Sequence, residues 1–326
     1  MRQVFNIIAI GQAGRLQYEA VLLAASLRAQ DPGFPGQVFI AEPQPGPLWP
    51  HDPRMDDPAA RSLLMDLGAQ ILPFASRDFG AAYPQGNKIE ALAALTDAPF
   101  LFLDTDTLVT RSFAGVSFDF DRPSASMRRE ATWPRAFPGG PTTDEVWAAL
   151  YHRFGLDRAG TLDTDRAASD WRRHLYFNAG WFFHRSPARF GALFRDFAVA
   201  VRDDPPPELR GQRLTPWLDQ VVLPLVITAL GGGRPGLGLA GLDGGVTCHW
   251  RSLPLLYARE SDQVVAVLEA VTGQADVEKV LRRYPPFVAM LGGGGAQARA
   301  LFDRAALPER EQPIRQRLKQ AGLWAR

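Results

Sequence analysis

A single cysteine, Cys248, in 326 residues excludes an intrachain disulfide and a cysteine-cluster zinc site, and it suits a reducing compartment. A lone thiol of this kind reads as a small buried filler. Net charge is almost absent: 36 Lys and Arg face 35 Asp and Glu, so no long-range field draws the chain to nucleic acid or to an anionic membrane. Any anion it binds has to be caught locally. No stretch approaches the roughly 20 apolar residues that span a bilayer. The opening, MRQVFNIIAIGQAG, has one basic residue and an apolar run broken by Asn6 and Gly11, and reads as a first strand rather than a secretory signal. These absences place the chain in the cytoplasm of a bacterial-type cell. Gly11-Gln12-Ala13-Gly14 also lacks the third glycine of G-x-G-x-x-G, which argues against a dinucleotide-binding dehydrogenase.

What is present is enough apolar material for a sizeable core, with 46% hydrophobic and 22% charged residues. Short apolar runs alternate with helical patterns through the first hundred residues: Gln3 to Ile10, Tyr18 to Arg28, Gln37 to Ala41, Ala69 to Phe74, Asn87 to Leu95, and Phe100 to Leu103. Such alternation, with strands apolar on both faces, predicts an α/β fold with a mostly parallel central sheet flanked by helices. Ligands of such sheets bind at the carboxyl ends of the strands. Asn87 followed by Glu90 has the spacing of a capping box, which puts Lys88 in the first turn of a helix. From Arg122 to Asp170 the pattern loosens into a Trp- and Pro-rich stretch suited to substrate-contacting loops and short helices. A strand from Leu175 to Phe183 follows, then a helix capped by Ser186 and Pro187, then a helix opening near Thr215 and Pro216 with Pro224 as a kink. Residues 251–326 read as a mostly helical extension of a catalytic unit spanning residues 1–250. The basic tail IRQRLKQAGLWAR has charge for peripheral contact with a membrane or a partner, but its short apolar stripe predicts a solvated terminal helix.

The stretch with the sharpest chemistry is APFLFLDTDTLVT, an apolar strand that ends in Asp104 and Asp106. Side chains two apart on an extended segment point the same way, so both carboxylates address one point. Their repulsion calls for a cation, and a hard divalent ion, Mn²⁺ or Mg²⁺, takes oxygen ligands and shares them with phosphates. The same letters, LDTD, recur at Leu162 to Asp165 without a buried strand before them, so Asp163 and Asp165 read as loop or cap residues.

In motif order the chain resembles the nucleotide-diphospho-sugar glycosyltransferases of the GT-A fold, most of all the glycogenin and bacterial lipopolysaccharide galactosyltransferase type. FLFLDTD, YFNAGWFF, WLDQVVL and CHW stand in the order in which that type carries its DxD strand, its Asn-Ala-Gly segment, its Asp-Gln pair and a late histidine. The resemblance implies a metal held by Asp104, Asp106 and His249, with Asp104 also on the ribose. It implies substrate contacts from Gly11, Lys88, Asn178 and Gly180, with Asp219 and Gln220 at the reacting sugar. The donor would be a nucleotide sugar, UDP-linked by family expectation, and the acceptor a hydroxyl of a saccharide, lipid or protein, with retention of configuration. The family's late histidine is followed by a Gly and then Lys-Pro-Trp, whereas this chain reads HWRSLPLLY. The lysine that grips the diphosphate is missing there, and Arg251 is the replacement at hand.

Other readings stay open on sequence. An Asp-x-Asp ending an apolar strand also occurs in phosphatases of the haloacid-dehalogenase type, where Asp104 would be the nucleophile and Asp106 the general acid. That motif normally lies near the N-terminus with a glycine after the second Asp, and here Thr107 follows. A catalytically silent sugar-nucleotide-binding protein is a third reading. His152, His174 and His184 read as ordinary structural residues, and most of the tryptophans as packing.

Overall fold

The structure is a computed structural model that describes residues 2–128 and 132–325. Its centre is a six-stranded sheet in the order β3-β2-β1-β4-β7-β6. The strands are β1 (Asn6–Ile10), β2 (Val38–Pro43), β3 (Ala69–Phe74), β4 (Phe100–Leu103), β6 (Ala125–Ser126) and β7 (Asn178–His184). The first four run parallel, and β7 and β6 complete the sheet antiparallel. A two-stranded ribbon pairs β5 (Thr107–Val109) with β8 (Thr247–His249).

Both faces of the sheet are buried, as the unbroken apolar strands predict. Alternate residues of one strand go to opposite sides. Ile7, Ala9, Leu101 and Leu103 enter one core with α1 (Arg15–Gln30) and α2 (Pro58–Asp66). Ile8, Ile10, Phe100 and Phe102 enter the other with α5 (Pro187–Asp203) and α6 (Leu218–Ala229). Ser186 caps α5 by accepting from the Arg189 amide, and α6 starts at Leu218, three residues later than the sequence suggests.

Three expectations need correction. Asn87 does not cap α3 (Asn87–Glu90): the preceding Pro84–Gly86 segment is already a 3-10 turn, so Asn87 sits inside helical backbone. Glu90 instead reaches back to the loop before it and accepts from the amides of Arg77 at 2.5 Å and Asp78 at 2.9 Å. The loose stretch from Arg122 to Asp170, of which residues 129–131 lie outside the described residues, holds an 11-residue helix, α4 (Thr143–Arg153). A real capping box opens it: Thr142 accepts from the Glu145 amide, and Glu145 accepts from the Thr142 amide. The T-x-x-E of TTDE, just before VWAAL, was the signal for it.

The third correction concerns the tail. The chain after β8 is helical: α7 (Leu253–Arg259), α8 (Asp262–Thr272), α9 (Ala275–Leu281), α10 (Pro285–Ala289), α11 (Gly295–Ala300) and α12 (Glu311–Gln320), with a break at Met290–Gly294 where Gly293 takes φ +114°. Far from being solvated, α12 buries Ile314 and Leu318 in the same core as β1 and α1. Two apolar residues one turn apart suffice because a docked helix needs only a narrow stripe. Ile314→Ala is therefore expected to destabilise the protein by about 2–5 kcal/mol. A melting curve identical to wild type would show the helix to be undocked.

Candidate active site

The site begins where β4 ends and the chain passes from the large sheet to the ribbon. The Asp104 amide donates to the Gly180 carbonyl at 2.8 Å, continuing the β4–β7 ladder by one residue. Two residues on, the chain belongs to the ribbon: the Trp250 amide donates to the Asp106 carbonyl at 2.9 Å, and Thr107 lies opposite His249. Each aspartate backbone is thus tied to a different ladder, and Thr105 between them is buried. His249 Nε2 stands 3.0 Å from an Asp106 oxygen and 3.8 Å from an Asp104 oxygen. One ligand atom from each of Asp104, Asp106 and His249 lies within 4.8 Å of the others, a spacing that one ion can bridge. Two carboxylates and an imidazole suit Mn²⁺ or Mg²⁺, so the residues present fit such an ion.

Charge in this corner is tightly balanced. Burial would raise Asp106, but the charge and hydrogen bond of His249, with Arg15 and Lys88 behind them, hold it well below the usual carboxylate range. At Asp104 burial prevails, with repulsion from Asp106 adding to it against Lys88 and His249, and the carboxyl stays above its ordinary value. Burial disfavours the His249 imidazolium, yet Asp106 and Asp104 outweigh it and raise the imidazole above its ordinary value. On α1, burial and the charge of Asp106 push Glu19 up to about 8 against the pull of Arg15. Arg15 bonds Glu19 at 2.6 Å and stands 3.8 Å from Asp106.

Gly180 explains how His249 fits. A Cβ there would lie 2.4 Å from the imidazole Nδ1, so only a glycine leaves the ring its place. Asn178 holds the same segment: its amide donates to the Arg128 carbonyl, and its Oδ1 accepts from the Gly180 amide at 3.1 Å. Gly11 has a comparable packing duty. A Cβ would meet Ile40 Cγ2 at 2.4 Å, and it is the next residue, Gln12, that faces the cleft.

Lys88 is not a solvated first-turn residue. It is 8% exposed, and its ammonium bridges Asp104 at 2.9 Å and Asp219 at 3.2 Å while donating to the Ala179 carbonyl. Burial works against its charge, but Asp104 and Asp219 together raise its pKa above the lysine norm. Asp219 is also buried, accepts from the Tyr83 hydroxyl at 2.7 Å, and gives its own amide to that oxygen. Gln220 accepts from the Tyr176 hydroxyl at 2.9 Å. Nothing in the sequence around Tyr83 announced this partnership, which closes over 136 residues.

Two cavities meet at the aspartates. One, of about 220 Å³, has apolar walls from Ile10, Leu16, Pro84 and Phe102, with Gln12 and Arg15 at its polar side. The other, of about 360 Å³, takes in Asn178, Asp219, Gln220, His249, Arg251 and Arg315. Gln85, Lys88, Asp104 and Asp106 line both. The structure therefore brings together all the sequence-predicted residues except Gly11 and Gly180, which stand behind the walls as packing positions. Arg251, at φ +60°, is bonded to the buried Glu311 of α12 at 2.7 Å. The second LDTD lies apart in a turn, where Asp163 accepts from Arg166 and Asp165 is exposed.

A family model described as the Rhodobacterales glycosyltransferase domain matches residues 7–231. No curated protein matches the chain. Among solved structures, a galactosyltransferase LgtC in complex with donor and acceptor sugar analogs is 16% identical, covering 71% of this chain and 73% of its own, at TM-score 0.41. The glycosyltransferase GlyE of Streptococcus pneumoniae TIGR4 is 11% identical over 72% of this chain and 46% of its own, at 0.40.

Proposed function

The chain belongs to the Rhodobacterales glycosyltransferase domain family, and from that premise we propose that it moves a hexose from a nucleotide-diphosphate donor, UDP-linked, to an acceptor hydroxyl with the help of a divalent metal. The observation that carries this reading is the convergence of Asp104, Asp106 and His249 at the junction of an apolar and a polar cavity. Family membership sets the chain among sugar transferases rather than with the phosphatases whose first strand also ends in Asp-x-Asp.

In this reading the nucleoside occupies the smaller cavity, against Ile10, Leu16 and Phe102, with Gln12 and Gln85 as hydrogen-bonding partners for the base. The sugar and the acceptor share the larger one. Asp104, Asp106 and His249 would hold Mn²⁺ or Mg²⁺. Such an ion, when bound, supplies Lewis-acid neutralisation of the diphosphate as it leaves. During transfer the bond from the anomeric carbon to the phosphate oxygen breaks, a bond to the acceptor oxygen forms, and the acceptor hydroxyl loses its proton. The leaving phosphate oxygen is a suitable base for that proton in a retaining scheme.

Asp219 has both oxygens engaged, one by Tyr83 and one by Lys88. A carboxylate so committed is poorly placed to attack carbon. It suits a fixed negative charge beside a sugar that becomes cationic, with the Gln220 amide oriented by Tyr176 to meet a hydroxyl or the anomeric centre.

The test is a melting-curve panel of UDP, GDP, UDP-glucose and UDP-galactose, each with and without Mn²⁺. Ligand at about 100 times its dissociation constant adds about 2.7 kcal/mol to stability. Uridine nucleotides are expected to raise the melting temperature with manganese and much less without it. Indifference to all four in the presence of manganese would remove the reading, and release of phosphate from simple monoesters would favour the phosphatase.

A further inference from the structure

The larger cavity has two walls of different character. Its inner wall holds Asp104, Asp106, Asp219 and Lys88, whose charges answer one another. Its outer wall carries Arg135 and, from α12, Arg315. Arg135 is exposed, yet its place is fixed. Its amide donates to Gln212 Oε1 at 3.0 Å and its carbonyl accepts from Gln212 Nε2 at 2.8 Å. Its guanidinium lies over the Trp217 ring, 5.4 Å from the centroid. Among the described residues it forms no ion pair with a carboxylate. Arg315 is seated in a similar way, over Trp324 at 5.3 Å and against Glu311, one turn back on the same helix.

A guanidinium held over an aromatic ring, within cation–π range, keeps N–H groups for a two-point contact with phosphate or carboxylate. Fixing it before a ligand arrives removes much of the ordering cost of binding. Trp217 directly precedes α6, which bears Asp219 and Gln220, so Arg135 stands at the approach to the reacting sugar rather than beside the smaller cavity. Without an anion, an arginine that has no carboxylate partner among the described residues, at the mouth of a cleft lined by three aspartates, would serve only to screen them, and Lys88 already does that from within.

We propose that this wall recognises an anionic group on the acceptor, a phosphate or a carboxylate, with Arg135 as the direct contact and Arg315 beside it. The assignment rests on the transferase reading above and names the acceptor class that the reading leaves open. The competing source of anion is the donor's own diphosphate.

The experiment uses the whole chain saturated with UDP and Mn²⁺ and titrates three probes: glucose, glucose 6-phosphate and glucuronic acid. At least one acidic probe is expected to bind about tenfold or more tightly than glucose, the scale of a charge-assisted two-point contact. Arg135→Gln should level the acidic and neutral probes, and Arg135→Lys, which keeps the charge without the fork, should restore part of the difference. Arg185→Gln, just past the far end of β7, should keep all of it. The melting shift given by UDP with Mn²⁺ separates the two anion sources. If Arg135→Gln diminishes that shift as much as it does acidic-probe binding, the arginine serves the donor and the proposal is overturned. Equal binding of all three probes to wild type overturns it as well. A wild-type chain with no response to UDP and Mn²⁺ removes the transferase reading itself, and the acceptor assignment falls with it.

Discussion

Asp106→Asn is expected to lower sugar transfer by about a thousandfold and to abolish the manganese-dependent part of the uridine-nucleotide melting shift. The size follows from what a metal contributes to a leaving phosphate, several kcal/mol of charge stabilisation, with each 1.36 kcal/mol worth a factor of about ten. Asparagine preserves the shape and removes the charge. Asp106 is held well below its ordinary pKa against burial, because His249 donates to it and Arg15 and Lys88 add their fields. Of the two carboxylates proposed to hold the ion it is therefore the one that stays ionised more readily, and its loss should weaken metal binding more than any compensating change of geometry restores. Asp165→Asn, in the exposed second copy of the motif, is the matched control and should leave both measurements at wild-type levels. Equal losses in the two variants would place the metal elsewhere. Full transfer by Asp106→Asn without added metal would remove the metal from the reaction.

Lys88→Met should cost about 3–5 kcal/mol of stability and should also stop transfer. The ammonium is buried between Asp219, itself buried, and the part-exposed Asp104, so removing it leaves both carboxylates without their cation. Methionine fills the volume but not the charge. The sign of the pH dependence follows from the direction of the lysine shift. A pKa raised in the folded state means a contribution that is fully present below the unfolded value, about 10.4, and is lost only as pH rises through the higher folded one. The deficit between variant and wild type is thus expected to be flat from about pH 6 to 9, and to narrow toward acid as the stranded carboxylates take up protons. Melting curves from about pH 4 to 9 check both points. A variant as stable as wild type at pH 7 would mean that Lys88 reaches solvent and the ion pairs are incidental.

Much of this was legible along the chain. The unbroken apolar strands predicted a sheet buried on both faces, and β1 and β4 divide their residues between two cores accordingly. The family resemblance implied that a late histidine would stand near the DxD carboxylates, and the β5–β8 register, with Thr107 opposite His249, brings the three side chains together. Other features were misread for a local reason. The Asn87–Glu90 spacing matched a capping box, but a preceding 3-10 turn had already supplied helical backbone. The terminal helix looked solvated because its apolar stripe is short, and a two-residue stripe gives no sign of whether a core is waiting for it.

Alternation along the chain specified the sheet and the apolar strand that delivers Asp104 and Asp106, because both depend on local pattern alone. Packing across the chain set Lys88 between Asp104 and Asp219, put Tyr83 on Asp219, brought Arg315 of α12 to the cleft, and made Gly180 a seat for the His249 ring. Those contacts join residues up to 136 positions apart. No periodicity encodes them, since they exist only once two cores have closed on opposite faces of one sheet and made burial of each charge conditional on the next.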